Sequence, residues 1–239
     1  MDKSVKLSTG RISWIDISKG ITILLVILGH VLPNESFLKN IIFSFHMPLF
    51  FFISGYLFKI TSCKEITKKG FYRIVIPGYV CVLLIYFGYV IFNYFFKAGE
   101  NENIFICLIK LLISLVYMSG DNVKQLEFIK PIGAVWFLTA LFLIRIIVAF
   151  LENKKINRLK IICILMFSSF VGYEVGKVIF LPWSLDIVPL GATYFYIGFL
   201  CKEGNWINRI TEKINVVYLE TASCLLMIFG GYLGLSSMN

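Results

Sequence analysis

Histidine is nearly absent from this chain: there are two, at positions 30 and 46, in 239 residues. Charge is scarce as well. Only 15% of residues are Asp, Glu, Lys or Arg, against about 25% in a soluble domain. The six cysteines (63, 81, 107, 163, 201, 224) form no CxxC and no Cys/His spacing suited to zinc, so no metal site is expected. Most lie in apolar runs, where a free Cys acts as a small hydrophobe. Internal duplication of the kind transporters often carry is missing. Low-complexity tracts are missing too, and the most polar stretches, 61–70, 97–103 and 119–130, are too short for separate domains. A cleavable signal peptide is not evident. The basic start (Lys3, Lys6, Arg11) runs into a span carrying Asp16 and Lys19, with no small-residue cleavage site.

Apolar residues fill the chain. Hydrophobic residues make up 58%, where a soluble domain has about 45–50%, and the mean hydropathy is +0.82. This is the composition of an integral membrane protein, with one polytopic domain over 1–239. Runs that can cross a bilayer need about 20 mostly apolar residues. They fall near 12–32, 41–58, 74–96, 133–151, 161–181, 185–201 and 216–235. The predicted fold class is all-α: a transmembrane helix bundle of about seven spans.

The net charge of +9 would suit nucleic acid, but its placement excludes that partner. The basic residues cluster in short loops between spans, the positive-inside pattern. The segment 104–118 is ambiguous: it would be about 22 Å long as a helix and carries Lys110 in its middle. If it spans, loop Lys and Arg divide 10 inside to 9 outside. If it lies in the interface or re-enters, they divide 15 to 5. The second arrangement follows the rule. The N-terminus and the basic loops 59–73, 152–160 and 202–213 are then expected in the cytoplasm. The stretch 97–132 becomes one extracytoplasmic excursion with a short helix.

In that topology both histidines lie at the outer ends of adjacent spans. Lys19 and His30 are eleven residues apart, within about 20° of one helix face and about 16 Å along it. Asp16 stays on the same side. Intramembrane carboxylate, ammonium and imidazole groups mark functional sites and are expected to face the bundle interior or water. Asp16 and Lys19 also have a simpler reading, an i,i+3 pair that starts the helix at the interface. Pro48, two residues after His46, is expected to open the backbone near Ser44. Arg145 and Lys177 read as snorkelling side chains; Glu174, three residues before Lys177, is a functional candidate.

These segments resemble the acyltransferase 3 family of membrane O-acyltransferases, in its fucose 4-O-acetylase-like branch. The family pattern of a basic residue, ten residues and a histidine reads here as Lys19 to His30 in WIDISKGITILLVILGH. The block FSFHMPLFFFISGYLF, with His46, is the strongest match. Weaker matches are FYRIVIPGYV with Arg73, GAVWFLTALF with Trp136 and Phe137, and LDIVPLGATYFYIGFL with Asp186. Position 19 is Lys where many members have Arg. Family domains carry more helices, so the chain looks C-terminally truncated.

The resemblance implies acyl transfer, usually of acetyl from acetyl-CoA, to a hydroxyl of an envelope glycan or glycolipid. Acyl-CoA is then a co-substrate, and no permanently bound cofactor is expected. The setting it implies is the cytoplasmic membrane of a bacterium. His30, His46, Asp16 and Lys19 become catalytic candidates. One histidine would act as general base on the acceptor hydroxyl, or would carry the acyl group covalently. Lys19 and Arg73 become donor-binding candidates, with Lys64, Lys68 and Lys69 near Arg73 at the inner face, although positive-inside topology alone explains the three lysines. Trp136, Phe137, Glu174 and Asp186 become acceptor-binding candidates. Trp136, Phe137 and Trp183 equally suit an aromatic belt, and Asp186 a helix cap. Two rival readings remain: a proton-coupled transporter of a small anion or sugar, and an inactive fragment of the acyltransferase.

Overall fold

The computed structural model describes residues 13–33, 36–96, 104–120, 129 and 131–232. Lys3, Lys6 and Arg11 lie outside them, as do 97–103 and most of 119–130. In chain order the helices are α1 (Ser13–Val31), α2 (Phe37–Tyr56), α3 (Cys63–Gly70), α4 (Ile76–Phe96), α5 (Ile104–Tyr117), α6 (Trp136–Asn153), α7 (Arg158–Val178), α8 (Val188–Glu203), α9 (Trp206–Lys213) and α10 (Val216–Tyr232). Among the described residues, six stretches are long and apolar enough to cross a membrane. The α9–α10 region, bent by 112°, makes a seventh if counted as one span. The protein is a multi-pass, all-α membrane bundle.

α1 and α2 form an antiparallel hairpin. Trp14 meets Tyr56 edge-on at 5.3 Å near one end, and Gly29 abuts Ile42 and Phe43 near the other. α1 buries a narrow stripe, Ile15, Thr22 and Gly29, whose spacing of seven keeps it on one face. The Thr22 hydroxyl donates to the Ser18 carbonyl at 2.6 Å, which satisfies a polar group where no water is available. α2 runs through Pro48 without ending.

The centre of the bundle is the contact between α2 and α8. A Cβ added to Gly55 would overlap the Phe195 carbonyl oxygen, and one added to Gly198 would overlap the Phe52 carbonyl oxygen. Each helix offers a glycine to the other's backbone, the small-residue packing that lets membrane helices approach. Phe51, Phe195 and Tyr196 are buried around this crossing with Ala140, Ile144 and Val148 of α6.

The basic loop expected at 59–73 is a helix from Cys63 onward, which corrects that boundary. α3, a π-helical turn over Phe71–Val75 and α4 follow one another directly. Ser62 caps the start, accepting the Glu65 backbone N–H at 3.3 Å, in the S-x-x-E pattern of a helix N-terminus. Glu65 also pairs with Lys69. Lysine stems can ride along a helix while their ammonium groups stay in water, so the charges did not mark its start. This helix lies antiparallel to α6. Asn153 donates to the Thr61 carbonyl at 3.1 Å, Gly70 abuts Phe142, and Gly78 abuts Val135 and Leu138.

α5, with 14 residues, is shorter than a bilayer span. Its Leu111 and Leu115 pack on Val82 of α4. The Trp183 indole donates to the Val116 carbonyl at 2.9 Å, and the Tyr117 hydroxyl donates to the Phe180 carbonyl. Ile132 N–H donates to the Ser119 carbonyl at 3.0 Å. The short helix is thus tied to the end where α7 finishes and α6 and α8 begin. Phe137 of α6 meets Phe50 and Phe51 of α2, which puts this end on the same side as the histidines.

Candidate active site

His30 is exposed at the end of α1, and His46 is buried on α2. Phe43 stands between them. Its ring is 5.4 Å from the His30 ring, edge-on, and 5.0 Å from the His46 ring. The Lys39 ammonium lies 5.2 Å from the Phe43 centroid. The hairpin therefore brings together two imidazoles, a cation and one aromatic ring. The α-helical period explains it: 39, 43 and 46 share one face of α2, and Gly29 lets that face approach α1. His46, nine residues into α2 and about 14 Å from its start, is mid-helix, which corrects its expected place at an outer helix end.

His46 Nδ1 is 2.9 Å from the Ile42 carbonyl oxygen. A carbonyl only accepts, so Nδ1 carries the proton and Nε2 presents a lone pair in the neutral ring. The backbone thus holds His46 in the tautomer a general base needs. Pro48 has no N–H, so the Ser44 carbonyl loses its helical donor one turn beyond. The Ser44 hydroxyl turns back to the Ile41 carbonyl at 2.7 Å, and Gly230 of α10 packs beside it.

The α1 face predicted to carry Asp16, Lys19 and His30 flanks the contact with α2. From the middle of the buried stripe, helical phase puts Lys19 at about 60°, His30 at about 80° and Asp16 at about 120°. Their burial follows that order: Lys19 is half-buried, while His30 and Asp16 are exposed. Lys19 sits about three turns from His30 along α1.

A family model for the acyltransferase 3 domain, described as an acyltransferase domain, matches residues 12–239. The chain belongs to the acyltransferase 3 family. It is 29% identical over 223 residues to the nodulation protein NolL of Sinorhizobium fredii, covering 84% of this chain and 50% of the relative. It is 29% identical, also over 223 residues, to NolL of Mesorhizobium japonicum, covering 87% and 52%. The chain thus spans about half the length of the curated relatives it matches. No solved structure matches it.

In this member of the family the remaining candidates fall in separate places. Arg73 is exposed on the π-helical turn. It lies ten residues beyond Cys63, about 15 Å along the helix, and one turn past the Gly70–Phe142 contact. This corrects its expected position at the start of a helix: it lies within the run from α3 to α4, level with the body of α6. Trp136 is buried, packed on Gly120 and edge-on to Phe137, so its ring is taken up by the core. Phe137 is half-buried against Phe50 and Phe51. Asp186 is buried; its carboxylate accepts the Leu181 N–H at 3.2 Å and fits against Gly176 of α7. Glu174 lines an apolar groove on α7 with Phe170, Val171 and Val178, and pairs with Lys177 at 2.8 Å. α7 packs on α8, on the far side of the bundle from α1, so Glu174 does not join the histidines.

Lys39, Phe43 and the Ile42 carbonyl were not singled out in the sequence. The signal was present in the helical spacing, since 42 and 43 fall one turn before His46. Nothing local distinguishes Phe43 from the other phenylalanines of that apolar run.

Proposed function

We propose that this chain is an integral-membrane O-acyltransferase that moves an acyl group, acetyl in the simplest case, from acyl-CoA to a hydroxyl of a cell-surface carbohydrate. The observation that carries the reading is His46 held by the Ile42 carbonyl with Nε2 bare, beside exposed His30. The acceptor O–H gives its proton to a histidine as its oxygen attacks the thioester carbonyl. The C–S bond then breaks, and the CoA thiolate leaves and is protonated. Such a base contributes roughly 10²–10⁴-fold in rate. Asp16 and Lys19 lie further along α1 and would line the path of the donor's arm toward His30.

The topology that suits this chemistry has the N-terminus in the cytoplasm and the histidine end outside, in a bacterial cytoplasmic membrane. CoA is cytoplasmic and the glycan or glycolipid is not, so the α1–α2 hairpin would join the two compartments. Arg73 would meet donor phosphates, as guanidinium groups commonly do. The acceptor would approach at the histidine end, near Phe137.

The test is release of free CoA from acetyl-CoA in membranes carrying the protein, with and without carbohydrate acceptor. The reading expects acceptor-dependent release that is lost in His30→Ala and His46→Ala. Proton-driven uptake of a small anion or sugar without CoA release would replace it with the transporter reading.

A further inference from the structure

A second polar site lies within the bundle, away from the histidines. A cavity of about 200 Å³ is lined by Ser54, Leu57 and Phe58 from the end of α2 and by Leu141 and Arg145 from α6. Sites that enclose drug-sized ligands run to roughly 300–1,000 Å³, so this one has room for a small group rather than a whole nucleotide.

Arg145 reaches from α6 toward the end of α2. Its Nε is buried and has no hydrogen-bond acceptor among the described residues. Its guanidinium lies 5.6 Å from the centroid of Phe58, a ring that is itself buried. The π-helical turn that carries Arg73 packs against α6, and Arg73 itself is exposed. Among the described residues, neither arginine has a carboxylate in ion-pair range.

A cation set against apolar walls is costly unless something negative joins it. Phenylalanine answers a cation only in part, and the orphan Nε–H still requires an acceptor. Arginine's fixed fork suits a tetrahedral oxyanion, which can accept from several N–H groups at once. Ser54 adds a hydroxyl on the opposite wall.

We infer that Arg145, with Ser54, forms a site for a phosphate group between the end of α2 and α6. Two sources supply that chemistry: the phosphates of the acyl-CoA donor, or the headgroup of a membrane phospholipid. The donor source rests on the proposed acyltransferase function; the site itself does not. Ser54 is eight residues from His46, about 12 Å along α2, so a phosphate held there lies on the donor's side of the proposed base. Arg145 is then a donor-positioning residue, since it holds the substrate away from the reacting carbonyl.

The experiment uses the full chain in detergent and compares wild type with Arg145→Met, Arg145→Lys and Ser54→Ala. Methionine fills similar space without charge, and Ser54→Ala probes the opposite wall if the methionine variant fails to fold. Binding of acetyl-CoA and of S-acetylpantetheine, which lacks phosphate, is measured by equilibrium titration. Phospholipid phosphorus retained through purification is measured in the same samples. A loss of about tenfold or more in acetyl-CoA affinity in Arg145→Met, a smaller loss in Arg145→Lys, and unchanged S-acetylpantetheine binding support the site with the donor as its source. Unchanged acetyl-CoA affinity, or no acetyl-CoA binding even in wild type, together with phospholipid phosphorus lost in Arg145→Met or Ser54→Ala, supports the site with lipid as its source. Where wild type binds no acetyl-CoA, the acyltransferase reading fails while the phosphate site stands; unchanged affinity only moves the donor's phosphates elsewhere. Unchanged acetyl-CoA affinity and unchanged phosphorus across the folded variants overturn the site.

Discussion

His46 Nδ1 lies 2.9 Å from the carbonyl oxygen of Ile42, one turn back along the same helix. That bond needs no second helix. It sets which ring nitrogen is free and holds the imidazole beside Phe43, and α1 then brings His30 to the other side of Phe43. A buried and an exposed imidazole thus share one aromatic ring without competing for one position.

Replacing either histidine by Ala is expected to lower acceptor-dependent CoA release by about 10²-fold or more. His46→Asn is expected to fail as well, since its amide can reproduce the bond to Ile42 but offers no basic nitrogen. The check is CoA thiol release at saturating acetyl-CoA, with protein amount matched by immunoblot. A His46→Asn variant with wild-type turnover would remove His46 from the base role.

Phe43→Ala removes the ring between the histidines and the surface under Lys39. Turnover is expected to fall about tenfold because the imidazoles lose their fixed relation, and misplacement of that kind is costly even without loss of a reacting group. Phe43→Tyr keeps the ring and is expected to stay near wild type. Parallel kcat and KM measurements check this; an effect confined to KM would place Phe43 in substrate binding instead.

Gly55→Ala and Gly198→Ala are expected to separate α2 from α8, because each added Cβ would overlap a backbone carbonyl of the partner helix. Overpacking of this kind costs about 1–3 kcal/mol or more. Gly20→Ala and Gly88→Ala are the controls, since an added Cβ at either meets nothing within 4 Å, and they are expected to be neutral or slightly stabilising. Thermal unfolding in detergent, followed by size-exclusion chromatography, separates the two pairs.

Ser62→Ala removes the side chain that caps the long helix starting at Cys63. The expected loss is about 1 kcal/mol, seen as a lower unfolding midpoint with unchanged turnover. The same helix puts Arg73 level with the body of α6. A cysteine at 73 is therefore expected to react more slowly with a charged maleimide than one at 64. Equal rates would return Arg73 to the membrane surface.

The membrane class, six of the expected spans and the short helix within 104–118 were legible in the sequence. They depend on run length and hydropathy, which are sums over neighbouring residues. The two histidines stood out for the same reason, as costly residues in apolar runs. The start of the helix at Cys63 was less legible. Hydropathy registers Lys64, Lys68 and Lys69 as a break, whereas the backbone responds to the Ser62 cap and to packing along α6. Trp136 shows the same limit: its place near a span end suggested a ligand or an interface, and contact with Gly120 buried it.

What the sequence determined by itself is local: helical phase, the tautomer-setting carbonyl one turn before His46, and the spacing from Lys19 to His30. Each is fixed by covalent geometry and the 3.6-residue period. Only the tertiary structure decided which helix faces which. It put Phe43 between the histidines, seated Gly55 against Phe195, and brought Arg145 against Phe58. Those pairings depend on shape matched between distant segments, and small residues such as Gly29, Gly55 and Gly198 acquire their meaning only when the opposing backbone arrives.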